Sequence, residues 1–349
     1  MVKKPLSVNT RFRMCTIEAP CKINLHLSIG KKKPDGFHNL SSLFSTLAFS
    51  DTIKFECSGE DGENIFSIKQ EIPHSEIPDK NNLILRAISL FRQQTDYKAG
   101  LKIHLIKRIP IGAGLGGGSS DAASTLLALN QLAGTSSIGL LSMEKLMEMA
   151  AFLGSDVPFF INFFFNSIEK GGAAYVSGRG ELVEPLKSPQ GLWVVLVMPP
   201  FPSNTALAFD RLDQMRERAS AYEREEEIER EPLSKETLIR SLAEGCETWP
   251  FYNDFLTVFL SKNDSKEDVE KQNKDEGDSN GKSAIYSSIF KSLMAFGASF
   301  VGLSGAGSCC FGLFYKKKMA EKAEKGLSIE GNFVRVTFFL AHRADPVLK

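Results

Sequence analysis

Fifteen residues beginning at Pro110, PIGAGLGGGSSDAAS, place five glycines between a strand-like run and a helix-like run. A regular element loses stability with each internal glycine, so this density marks a loop whose backbone goes where side chains cannot. Upstream, LKIHLIKRI (Leu101 to Ile109) alternates apolar with polar residues as a half-buried strand does, and Pro110 ends its ladder by removing a donor. Downstream, Ala122, Leu126 and Leu129 recur at i, i+4 and i+7, which predicts an amphipathic helix with Gly134 at its left-handed end. A glycine loop that runs into a helix start offers unpaired N–H groups and the positive end of the dipole. These are the requirements of a phosphate site.

The better-known phosphate loops do not fit. A GxxxxGK[ST] loop needs a lysine after its last glycine, and here Ser119, Ser120 and Asp121 follow. A GxGxxG fingerprint matches at Gly112, Gly114 and Gly117, but the next segment, SMEKLMEMAAFL (Ser142 to Leu153), has a helical pattern where a dinucleotide fold needs a strand ending in an acid. Forty-two basic and forty-two acidic residues cancel, so there is no net field to attract nucleic acid or an anionic membrane, and the expected polyanion is a small one. The six cysteines show no metal-ligand spacing. No run of eighteen apolar residues occurs and the basic first thirteen lack the core of a signal peptide, which together predict free thiols and a cytoplasmic location.

The remaining pattern is α+β. KINLHLSI (Lys22 to Ile29) alternates as a strand, and a Pro-Asp-Gly turn at Pro34 to Gly36 predicts a reversal into a second strand. Asn82 is placed to cap a helix whose face is Leu83, Ala87, Leu90 and Phe91. Ser155 or Asp156 is placed to start a helix beyond Gly154, and Gly178 and Gly180 separate two short strands. The polar Lys187 to Gln190 precedes a buried strand at Trp193. It is the expected boundary between an N-terminal domain, 1–190, and a C-terminal one, 191–349, which ends in strand-turn-strand and alternating patterns. Two charged segments interrupt the second half: 216–231 reads as a solvated helix, and 261–283 as a disordered insertion.

Three segments in order now resemble the GHMP kinases, the family of galactokinase, homoserine kinase, mevalonate kinase and phosphomevalonate kinase. APCKINLHL is similar to the family's first motif, PIGAGLGGGSSDAAS to its phosphate loop and LSGAGSCCFGLF to its third motif. PCKINLHLSIGKKKPDGFHNLSSLF, GSDVPFF and Asn253-Asp254-Phe255 narrow the match to members acting on an alcohol linked to cytidine diphosphate. Apart from the charged insertions the likeness covers nearly the whole chain. It implies a two-domain fold, with a ribosomal-protein-S5-domain-2-like N-terminal half that holds ATP and a ferredoxin-like C-terminal half. The activity implied is transfer of the ATP γ-phosphate, with Mg2+, to the 2-hydroxyl of a cytidine diphosphate-linked methylerythritol, in the non-mevalonate route to isoprenoid precursors. A small-molecule substrate, no nucleic acid or membrane partner, and a monomer or weak homodimer complete the expectation.

By the same resemblance Asp156 orients the hydroxyl and acts as general base, although aspartate beside a helix start also caps. Lys22 lies in the active site beside it, although a lysine on a strand also serves to protect an edge. Lys22, Asn24 and His26 alternate and should share a strand face, with Asn24 contacting substrate. Phe37 and His38 read the cytidine with Thr205 and Phe209 of the second half, two aromatics being able to sandwich a pyrimidine. Relatives usually carry tyrosine at the Phe37 position, and core packing is the other reading of Phe209.

Pro110, Ile111, Gly112, Ala113, Gly114, Leu115, Gly116, Gly117, Gly118, Ser119 and Ser120 wrap the ATP phosphates. Ser120 meets the metal or caps the helix; Asp121 contacts the nucleotide or caps it. Asn82 and Lys107 border adenine and ribose, and the Ser304 to Ser308 turn faces substrate phosphates or is a plain tight turn. Cys21 stands where relatives commonly have alanine and is expected to make the site sensitive to thiol reagents. The competing readings are another small-molecule kinase or the related decarboxylase of this family, a non-catalytic nucleotide-binding protein of the same fold, and a Rossmann oxidoreductase.

Overall fold

The N-terminal strands form the expected hairpin at greater length. β1 (Arg13–Lys32) and β2 (His38–Asp61) pair antiparallel, and the Lys33 amide donates to the Phe37 carbonyl across a turn in which Gly36 takes φ 83°. The computed structural model describes residues 13–70, 82–134, 139–165, 171–221, 231–260, 279–328 and 331–340.

β3 (Asn64–Gln70), β4 (Ala99–Lys107), β5 (Ala173–Gly178) and β6 (Leu182–Leu186) complete the first sheet in the order β3-β4-β2-β5-β6, with β1 also paired to β2. Among the described residues four helices belong to this half: α1 (Leu83–Gln94), α2 (Gly117–Ala133), α3 (Met143–Leu153) and α4 (Val157–Phe165). Asn82 caps α1 by accepting from the Ile84 amide, and Ser142 caps α3 by accepting from Lys145. Asp156 sits one residue before α4.

α2 differs from expectation. It packs on α1, α3, α4 and β1 and is buried nearly all round, so its small residues, Ala122, Ala123, Ser124 and Ala128, serve close approach rather than one apolar face. Gly134 ends it in a right-handed conformation, φ −62°, because its amide still reaches the Asn130 carbonyl.

The second half repeats none of this. β7 (Trp193–Met198), β8 (Phe300–Leu303), β9 (Cys310–Phe314) and β10 (Phe333–Phe338) form an antiparallel sheet in the order β10-β7-β9-β8. With α5 (Thr205–Ala221), α6 (Lys235–Leu242), α7 (Phe255–Leu260) and α8 (Ser279–Ala295) between β7 and β8, and α9 (Lys317–Ser328) between β9 and β10, this is a ferredoxin-like β-α-β-β-α-β arrangement with extra helices.

The charged segment at 216–231 begins inside α5, and its part from 222 to 230 lies outside the described residues, as does 261–278. The end of the expected insertion is corrected: residues 279–283 are the first turn of α8, drawn into the helix by Tyr286, Ile289 and Leu293 on its buried face. Among the described residues no helix is long and apolar enough to cross a membrane.

The two sheets share a core. Ile23, Leu25, Leu43 and Leu47 from the first pack in one cluster with Val194, Leu196, Phe311 and Leu313 from the second. Lys187 to Gln190 lies between β6 and β7, and the Ser188 hydroxyl donates to the Leu340 carbonyl just beyond β10; the Leu340 amide in turn donates to the Thr46 carbonyl of β2.

Candidate active site

Lys22, only 3% exposed, sits on β1 with its Nζ 2.6 Å from Asn24 Oδ1 and 3.3 Å from Asp156 Oδ2. It lies 4.4 Å above the Phe44 ring. A buried ammonium needs such partners to stay charged. Residues 134 positions apart in the chain meet here because Asp156 precedes α4, and α4 packs on α2, which itself packs on the strand that carries Lys22. Asp156 keeps 30% side-chain exposure, so the carboxylate faces outward from the pair.

The glycine loop closes over this lysine. The Lys22 amide donates to the Leu115 carbonyl, and a Cβ at Gly116 would meet Lys22 Cγ at 3.0 Å. Gly112, Gly114 and Gly116 have φ of 70°, 74° and 67°, so every second residue is left-handed, an ingredient of anion-binding nests. The Ser304 hydroxyl donates to the Gly114 carbonyl and accepts from the Asn24 amide, while the Gly305 amide donates to Asn24 Oδ1. Asn253 ties down the same turn through the Leu303 and Gly305 carbonyls, and the Asp254 carboxylate accepts from the Ile29 amide. The three motifs of the sequence therefore meet around Asn24.

Beyond the loop opens a cleft of about 250 Å3 walled by residues 110–119, Asn82, Leu83, Lys107 and Asp121. Its floor carries a buried charge triad: Lys107 Nζ lies 2.6 Å from Asp51 Oδ2 and 2.7 Å from Asp121 Oδ2. Asp51 also accepts from the Arg108 and Ile109 amides, whereas Asp121 Oδ1 has no partner among the described residues. Burial, against the pull of Lys107 and with repulsion from Asp51, pushes the Asp121 carboxyl up to about 7. Asn82 Nδ2 and Ser120 Oγ are likewise buried without a partner among the described residues. Ser119 lies on the cleft wall; Ser120 lies behind it.

At the hairpin turn, His38 Nε2 is 2.8 Å from Asp213 Oδ1, and Lys32 Nζ is 3.1 Å from Asp213 Oδ2. Partial burial opposes ionisation of Asp213, but the bonds to His38 and Lys32 hold its carboxyl below the ordinary range. Phe209 stacks on His38 at 4.9 Å and meets Phe255 edge-on, so its ring faces the histidine instead of standing open for a sandwich with Phe37. Phe37 itself is 50% exposed. Thr205 opens α5 and is exposed.

Two expectations are corrected. His26 leaves the row of Lys22 and Asn24: a bulge between Asn24 and His26 breaks the alternation, and its ring packs on Phe251 and Tyr252 with Nδ1 accepting the Tyr252 amide. Cys21 is fully buried beside the bulge between Pro20 and Lys22, and burial pushes its thiol well up, so it is closed to thiol reagents. Asp213 was missed, although its spacing of four from Phe209 on α5 was readable. Arg179 left no signal of its own.

Comparison with known proteins places the chain in a family. GHMP kinases N terminal domain matches residues 82–162 and GHMP kinases C terminal matches 283–332. A relative from Thermodesulfovibrio yellowstonii, 4-diphosphocytidyl-2-C-methyl-D-erythritol kinase, is 35% identical over 93% of this chain and 97% of its own. The chain belongs to the GHMP kinases. The chloroplastic 4-diphosphocytidyl-2-C-methyl-D-erythritol kinase of Oryza sativa subsp. japonica is 43% identical over 56% of this GHMP kinase, which spans only 45% of that relative. A crystal structure of 4-(cytidine 5'-diphospho)-2C-methyl-D-erythritol kinase matches with TM-score 0.66 and 27% identity, covering 94% of this chain and all of the other. The L. major mevalonate kinase complex, at TM-score 0.60 and 15% identity, shares the fold.

Proposed function

We propose that the protein transfers the γ-phosphate of ATP to the 2-hydroxyl of 4-diphosphocytidyl-2-C-methyl-D-erythritol. The observation that carries this is the Lys22–Asp156 contact at 3.3 Å, set between a glycine-walled cleft and the Phe37-His38 turn. In this reading the loop amides and the start of α2 hold the phosphates, and Ser119 adds its hydroxyl. Asn82 Nδ2 and Asp121 Oδ1, an open donor and an open acceptor, meet the nucleobase beside Lys107.

Asp156 orients the 2-hydroxyl and accepts its proton as the oxygen attacks the γ-phosphorus; the bond to the β-phosphate breaks and ADP leaves. Lys22 offsets the charge on the transferring group, and Asn24, which fixes Lys22, contacts the alcohol. Mg2+, when bound, would supply charge neutralisation at the phosphates. Behind the cleft wall, the Ser120 hydroxyl has no partner among the described residues and is the oxygen that would hold it once the wall yields to the nucleotide. His38, with Phe37 and Thr205, reads the cytidine, its ring oriented by Asp213 and backed by Phe209. Six buried cysteines, none of them in a disulfide, fit a reducing compartment such as the cytoplasm.

The test is ADP release from ATP and Mg2+ with each alcohol offered in turn. Turnover confined to the cytidyl substrate is expected; equal turnover of mevalonate or homoserine, or none of any, refutes the reading. Asp156→Asn should lower kcat by about 10²–10⁴-fold while ATP binding stays within about twofold.

A further inference from the structure

The turn between β5 and β6 carries a residue with no part in the chemistry above. Arg179 donates from its guanidinium to Asp35 Oδ2 at 2.9 Å, and the guanidinium carbon lies 3.9 Å from the centre of the Phe37 ring. Asp35 Oδ1 accepts from the Phe37 amide at 3.0 Å. The three residues thus form a closed triangle: one carboxylate holds the backbone of Phe37 and the cation that covers its ring. The turn is itself fixed, since the Arg179 amide donates to the Glu181 carboxylate at 2.6 Å. Its neighbour Gly180 approaches Ser155 so closely that a Cβ would meet the serine Cβ at 2.9 Å. The same turn therefore touches the residue before Asp156 and the loop that bears Phe37.

An exposed ion pair is weak evidence for anything, and Arg179 and Asp35 are 47% and 43% exposed. The ring changes the argument. A half-exposed phenylalanine on a hairpin turn has several rotamers open to it, and it has no hydroxyl to tether the ring. A guanidinium seated on one face, and itself anchored to the adjacent carboxylate, selects one of them and leaves the opposite face to solvent or ligand.

We infer that Arg179 is a positioning residue for the pyrimidine base, backing Phe37 so that its free face receives the cytosine. This rests on the activity proposed above. A cation held against the rear of the ring keeps the stacking surface in place before the substrate arrives, which lowers the ordering cost of binding and leaves the phosphoryl transfer step alone.

The experiment compares wild type with Arg179→Ala, Arg179→Lys and Asp35→Asn. In Arg179→Ala the KM for the cytidyl alcohol and the inhibition constants of CDP and free cytidine should rise together by about fivefold, with kcat and the KM for ATP unchanged. Arg179→Lys should recover part of the loss, because an ammonium also sits on a ring face. Asp35→Asn, which keeps an acceptor for the Phe37 amide, should reproduce most of it. An unchanged KM, a fall in kcat instead, or weaker CDP binding with cytidine unaffected overturns the inference, the last by making Arg179 a phosphate ligand. Wild type that fails to phosphorylate the cytidyl alcohol overturns the proposed activity; normal wild-type turnover with an unaltered Arg179→Ala overturns the positioning role alone.

Discussion

Two fully buried side chains with opposite pH behaviour flank the site, and neither is at the reacting centre. Burial lowers His26 to about 4 from an ordinary 6.5, so between those values the unfolded chain binds a proton that the folded chain refuses. Stability from this residue is complete above pH 6.5 and falls by about 3 kcal/mol as pH drops to 4. Asp121 acts the other way. Its carboxyl is held up near 7, so the folded state keeps a proton that the unfolded state has released, and the contribution present below pH 3.8 is lost as pH rises to 7. The two overlap and partly cancel, which makes a single variant more informative than the wild-type curve. Chemical denaturation of wild type and His26→Gln across pH 4–7 should show the wild-type advantage shrinking toward acid; a constant difference would rule out a neutral buried His26. Lys22 and Asp156 were legible as residue types, but only their 3.3 Å approach makes them a pair.

At the level of elements, the glycine loop is the most constrained segment, and its glycines are not equivalent. A Cβ at Gly114 would run into the Ser304 backbone oxygen, and its φ of 74° strains any other residue. Gly118 stands within α2 with an ordinary φ, and its nearest neighbour is Leu83 Cδ1 at 3.5 Å. Gly114→Ala should therefore cost about 2 kcal/mol or more and uncouple the loop from the third motif, whereas Gly118→Ala should be neutral or stabilising by up to about 1 kcal/mol. Thermal denaturation of the two proteins decides it, and equal losses would contradict the assignment. The strand, loop and helix were readable from periodicity and glycine content. The all-round burial of α2 was not, because whether a run of small residues faces solvent depends on α1, α3 and α4 closing around it.

Across the whole molecule, the two sheets are joined by a shared core rather than by a flexible linker. Leu196 on β7 is fully buried in the same cluster as Ile23 and Leu47. Leu196→Ala should destabilise by about 2–5 kcal/mol and, by native-state hydrogen exchange, loosen β1 and β2 along with β7. Exchange that accelerates in the second sheet alone would show two independent units. The architecture also explains the Asn253-Asp254-Phe255 motif, which clamps the Ser304 turn and β1 in register.

Local chemistry was decided by the sequence itself. Turn residues, caps, alternation and a glycine run are effects within a few residues, and they placed both catalytic candidates and the glycine loop on the elements where the structure has them. What only the tertiary structure decided was contact between distant segments: Asp213 under His38, Arg179 against Phe37, Asp51 beside Asp121, and the bulges that bury Cys21 and turn His26 away. Strand bulges and side-chain partners depend on what the opposite strand or helix presents, and no periodicity within one segment encodes that.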